Sequence, residues 1–146
     1  MPRPLRHDFT GETLYRRIRP SDIDEGRIRS SAVSLPRCSF DRSRWRRNPR
    51  AVLALEAQPE HTAIAQLPAD ELPIAVSPRG TDSDSLWLYE LRPRDAPTDE
   101  NPAHCEVAVF TATGAPVDDG KLIRPNAVTK KLKRALAGAM SLYVKS

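Results

Sequence analysis

Residues 13–19 (TLYRRIR) place apolar Leu14 and Ile18 an even number of positions apart, as a strand face requires. Leu14, Arg16 and Ile18 fall on one face of a predicted strand, Tyr15, Arg17 and Arg19 on the other, and Pro20 stops it. Residues 104–110 (HCEVAVF) give the clearest strand, rich in β-formers and bounded by turn residues. Shorter strands are predicted at 38–40, 62–67, 74–76 and 86–91, with an extended segment over 28–35 that Pro36 ends. The period then lengthens. Val128, Leu132, Ala135, Leu136, Ala139, Met140 and Tyr143 recur at helical spacing behind Asn126, a good cap. They predict one long helix over 126–143, buried along Val128, Leu132, Leu136 and Met140. Asn48-Pro49 predicts a second, shorter helix reaching about residue 57.

Turn chemistry fills the intervals. Residues 21–26, 77–85 (SPRGTDSDS) and 92–103 read as turns or loops, and Asp119-Gly120 suits a tight turn. Residues 1–11, with Pro2, Pro4 and Gly11, read as a mobile N-terminal arm. Neither a repeat nor a linker divides the rest of the chain. The predicted architecture is a single α+β domain over 12–146: a short-stranded mixed or antiparallel sheet carrying a long amphipathic C-terminal helix.

Composition sharpens this picture in one respect. The 146 residues include 14 prolines, about double the usual share, which keeps the elements before residue 126 short. The opening residues lack the apolar stretch of a secretory signal, and no run approaches the ~20 apolar residues of a membrane span. Two cysteines are too few for a disulfide framework. A cytoplasmic bacterial protein with reduced thiols and no membrane partner is the expectation.

Charge is sorted along the chain. Residues 1–50 carry 13 arginines and 6 acids, residues 51–105 carry 3 arginines and 10 acids, and residues 106–146 carry 7 basic and 3 acidic residues. A basic, acidic, basic order suits either a surface for a polyanion or a fold that neutralises itself internally.

The candidate chemistry comes from that charge. Arg42, Arg44, Arg46 and Arg47 surround Trp45; guanidinium groups pair with phosphate, and an indole can stack on a base. Lys130, Lys131, Lys133 and Arg134 crowd the opening turns of the predicted C-terminal helix, against its dipole. The two clusters form a candidate surface for a polyanion or a partner. Cys38, His61, His104 and Cys105 lack metal-ligand spacing. No nucleophile elbow, Walker loop or G-x-G-x-x-G is present. The residues therefore call for no catalytic group, metal or cofactor.

Two resemblances add to this reading. L-Y-R-R-I-x-P (Leu14 to Pro20) and G-R-I-x-S-S (Gly26 to Ser31) resemble the openings of a group of small bacterial proteins that carry no assigned function. An arginine on a first strand followed by a serine-bearing strand is similar to the NAD-gripping part of ADP-ribosyltransferase-like domains. That likeness implies cofactor-binding roles for Arg16 or Arg17 and for Ser30 or Ser31. Glu90 and Glu106 are the strand candidates for the catalytic glutamate, and neither sits in an E-x-E or Q-x-E pattern. No cleft around those residues and no turnover are expected. The sequence thus points first to a binding or accessory protein that docks a protein partner through charged surfaces. RNA or DNA binding through the Trp45 cluster comes second, and an NAD-binding domain, active or inactive, third.

Overall fold

The computed structural model describes residues 3–45, 63–76, 89–111, 114–117 and 126–143. The helix expected from residue 48, the 77–85 loop, the Asp119-Gly120 turn, Arg46 and Arg47 lie outside the described residues.

Among the described residues the architecture is mostly β, not α+β with a long helix: a curled antiparallel half-barrel of seven strands carries one short helix. Strand β1 (Thr13–Ile18) lies between β4 (Arg37–Arg42) and β5 (Ala63–Pro68). Beyond β4 come β8 (His104–Thr111), β7 (Tyr89–Asp95) and the edge strand β6 (Ile74–Val76). A two-stranded ribbon, β2 (Ile23–Asp24) and β3 (Arg27–Ile28), stands apart from the sheet. Its two-residue turn places Glu25 at φ 49° and Gly26 at φ 76°, left-handed backbone that glycine adopts without strain.

The helix, α1, spans Asn126–Ala139 and is four residues shorter than its apolar period suggested. Met140 N–H closes its last turn on the Ala137 carbonyl at 3.1 Å. The chain then extends into β9 (Ser141–Leu142), which pairs with β5 at the far edge of the sheet. Tyr143 fits a helical period by number alone. Its N–H donates to the Ile64 carbonyl at 2.9 Å and its ring meets Tyr15 edge-on, so pairing with β5 overrides the local pattern. The Val128 side chain is outside the described part, whereas Leu132, Leu136, Ala137 and Met140 are buried.

Two further expectations are corrected. Residues 28–35 form no continuous extended segment: β3 ends at Ile28 and a 3-10 turn occupies Ser30–Ala32. Residues 92–95, expected in a loop, continue β7 through Pro93. Strand β6 pairs with β7 only from Tyr89 to Leu91, so at Pro93 no β6 residue stands opposite and the missing N–H breaks no β6 ladder.

Alternation places the core. Leu14 and Ile18 on β1, Cys38 and Phe40 on β4, Leu67 on β5, Leu91 on β7, and Cys105, Val107 and Val109 on β8 share one face with the apolar side of α1. By the same period of two, Arg42 on β4 and Asp95 on β7 also belong to that face. Both are buried charges, and a buried charge needs a partner.

Candidate functional site

The pairing of β1 is lopsided. Against β5 it runs through six residue pairs, Thr13↔Pro68 to Ile18↔Ala63. Against β4 it makes only Leu14↔Arg42 and Tyr15↔Asp41, after which the two strands part. Arg16 reaches across the gap: its Nε donates to the Ala32 carbonyl at 2.7 Å and its Nη1 to the Ser39 carbonyl at 3.0 Å. A guanidinium thus satisfies a β4 carbonyl where the β1–β4 ladder has ended.

The parting opens a cleft of about 970 Å³. One wall carries Arg16 and Arg17 of β1, Arg19 just beyond it, and Arg29. The other carries Asp41 of β4, Thr98, Glu100 and Asn101 of the loop before β8, and His104 at the start of β8. Tyr15 lines the closed end, on the last β1–β4 rung. Burial, and then neighbouring Tyr143, push the Tyr15 phenol above its ordinary value, so its hydroxyl stays protonated at neutral pH.

Both walls are built rather than draped. On the arginine side, buried Asp22 accepts Ser31 Oγ at 2.8 Å and Arg19 N–H at 3.0 Å, while its carbonyl takes Arg29 N–H at 2.7 Å. On the acidic side, Asn101 Nδ2 donates to Asp41 Oδ1 at 2.8 Å and Asn101 N–H to Thr98 Oγ1 at 2.9 Å. His104 Nδ1 lies 2.7 Å from the Ala96 carbonyl. A carbonyl only accepts, so Nδ1 carries the proton in that bond.

Arg16, Arg17 and Ser31 therefore meet in one cleft, although no cleft around them was expected. Ser30 is exposed in the adjoining 3-10 turn and is not among the lining residues. Neither is Glu90, held by Arg92 at 2.7 Å, nor Glu106, held by Arg94 at 3.2 Å.

The Trp45 cluster is arranged differently. Arg42 is fully buried, its Nε donating to Glu12 Oε1 at 2.9 Å and its Nη2 pairing with Glu12 Oε2. Its Nη1 lies 3.2 Å from Asp95 Oδ1, and the guanidinium sits 3.8 Å from the Phe9 ring centre. Arg3 grips the same Asp95 with two hydrogen bonds of 2.6 and 2.7 Å and covers the Trp45 ring at 3.4 Å. The segment expected to be an arm is thereby tied to the sheet, with Arg6 N–H also donating to Asp95 at 2.7 Å. Burial pushes the Asp95 carboxyl up, but the hydrogen bonds from Arg3, Arg6 N–H and Arg42 outweigh it and hold it at about 2. Arg44 is exposed, 5.2 Å from the indole centre. On α1, Lys130, Lys131 and Arg134 are exposed and Lys133 half-buried.

Sequence reasoning noted His104, and Glu100 within an acidic loop, but did not bring them together with Asp41 in one wall. Its signal, the pairing Asp41↔His104, exists only across strands far apart in sequence. Among the described residues no group of three or more His, Cys, Asp or Glu is placed to hold a metal ion, and no helix is long and apolar enough to cross a membrane. No family model, curated protein or solved structure matches the chain.

Proposed function

We propose that the chain binds a phosphate-bearing small molecule in the cleft between β1 and β4, without catalysing its turnover. The carrying observation is the parting of the two strands beyond Tyr15↔Asp41, which sets four arginines around about 970 Å³. Guanidinium groups match phosphate oxygens in charge and fork geometry. The volume lies in the range of small-molecule sites, roughly 300–1,000 Å³. The binding reading is further supported by the two strand glutamates, which are ion-paired and lie outside the cleft lining.

Calorimetric titration with inorganic pyrophosphate tests this. Binding should weaken by at least about tenfold, or 1.4 kcal/mol, in Arg17→Ala and in Arg29→Ala, and should weaken as salt rises. A wild-type protein that takes up no pyrophosphate at low salt overturns the reading.

Docking of a protein partner is a second reading, favoured by Lys130, Lys131 and Arg134 on one exposed side of α1. An RNA or DNA interface at Trp45 draws less support, since Arg42 is buried and Arg3 covers the indole.

A further inference from the structure

The cleft is divided by charge, and the division says more about the ligand than its volume does. The wall of Arg16, Arg17, Arg19 and Arg29 suits an anion. The opposite wall is rich in acceptors: the Asp41 and Glu100 carboxylates, the Thr98 hydroxyl and the His104 ring, with the Asn101 amide donating to Asp41 Oδ1 between them. Carboxylates facing a phosphate are repulsive, so the phosphate belongs on the arginine side, where four guanidinium groups outnumber the one carboxylate of Asp22, itself buried and accepting from Ser31 Oγ and Arg19 N–H. The cleft is also far larger than a phosphate ion. Its ligand therefore has a body, and that body must offer hydrogen-bond donors to the acceptor wall.

His104 sharpens this requirement. With Nδ1 donating to the Ala96 carbonyl, the acceptor position of the uncharged form of the ring is Nε2, and His104 lines the cleft. An uncharged imidazole in this tautomer is an acceptor for a hydroxyl. Tyr15 adds a ring face at the closed end, held edge-on by Tyr143 with centres 6.4 Å apart.

We infer that the ligand is a phosphorylated sugar, with its phosphate on the arginine wall and a hydroxyl donating to Nε2 of His104. This inference rests on the phosphate-binding reading of the cleft and adds the chemistry of the ligand's body. The sugar phosphate can be free or the ribose phosphate of a nucleotide; both present the same groups to the two walls.

The test is calorimetry with inorganic phosphate, ribose 5-phosphate, 2-deoxyribose 5-phosphate and adenosine 5′-monophosphate, on wild type, His104→Asn and His104→Gln. An asparagine amide can keep the donor toward Ala96 while removing the acceptor at Nε2; a glutamine amide can place an oxygen near Nε2. Ribose 5-phosphate should bind wild type at least about tenfold more tightly than inorganic phosphate. His104→Asn should lose most of that advantage while binding inorganic phosphate within about twofold of wild type, and His104→Gln should recover part of it. Binding of 2-deoxyribose 5-phosphate weaker than that of the ribose compound assigns the 2-hydroxyl to the acceptor wall; equal binding assigns the contact to another hydroxyl of the sugar. Adenosine monophosphate binding more tightly than ribose 5-phosphate identifies a nucleotide as the source, and equal or weaker binding identifies a free sugar phosphate. Equal affinities of wild type for inorganic phosphate and ribose 5-phosphate, or unchanged sugar-phosphate binding in His104→Asn, overturn this inference and leave the phosphate site standing. Binding of none of the four compounds, with none of pyrophosphate, overturns both.

Discussion

Two sets of arginines in this chain do opposite work with the same side chain. At one end of the core, Arg42 and Arg3 are enclosed by Glu12, Asp95, Phe9 and Trp45, and their charge is neutralised inside the fold. In the cleft, Arg16, Arg17, Arg19 and Arg29 share one wall while the nearby acids stand mostly on the other. The difference arises from strand pairing. Where β1 and β4 stay paired, at Leu14↔Arg42, the arginine points into the core and must find acids there. Where they part, the arginines border open space. Charge content is thus a poor guide to a polyanion surface until the pairing is known: the chain's most arginine-dense segment sits beside a self-neutralised network.

The comparison can be broken at either end, and the largest effect is expected at Arg42. Arg42→Ala leaves Glu12 and Asp95 without their shared cation and should cost about 3–5 kcal/mol in urea unfolding. A loss under about 1 kcal/mol would mean that the network is no more structural than the cleft. Acid should act next. Asp95 titrates at about 2 in the fold against an ordinary 3.8, so its stabilisation is complete above roughly pH 5 and is lost as pH falls through 2. The shift corresponds to about 2 kcal/mol, read as the drop in unfolding free energy over that range; Asp95→Asn should flatten this part of the profile. The smallest effect belongs to the cleft. Arg29 is exposed, with one long contact of 3.4 Å to the Ser21 carbonyl, and Arg29→Ala should leave stability within about 0.5 kcal/mol while weakening phosphate binding. A variant that unfolds like Arg42→Ala would erase the distinction between the two sets.

What could be read from the sequence was local. The strand period of two over residues 13–19 placed Leu14 and Ile18 on one face, and both are buried in the sheet core. The same period of two through Cys38, Phe40 and Arg42 carried the signal that Arg42 points inward, but the surrounding D-R-S-R-W-R-R text reads as a solvated run. Its partners lie 30 and 53 positions away at Glu12 and Asp95, and no spacing rule joins them. The end of α1 was obscured for a related reason. Tyr143 satisfies a helical period and also a strand register, and β5 decides between them. The strand through Pro93 depends on where β6 stops, and the acidic wall depends on Asp41 meeting His104. Each of these is a fact of topology, settled only when distant segments pair.

Pro93 has a consequence beyond its own strand. A strand edge with free N–H and C=O groups is a template on which another chain can pair. At the outer side of β7, past Leu91, where β6 no longer pairs, the backbone row is interrupted by Pro93, a residue without an N–H. A proline that looked like the end of a strand instead leaves that outer row one donor short as a template, while the pairing with β8 runs on through Asp95.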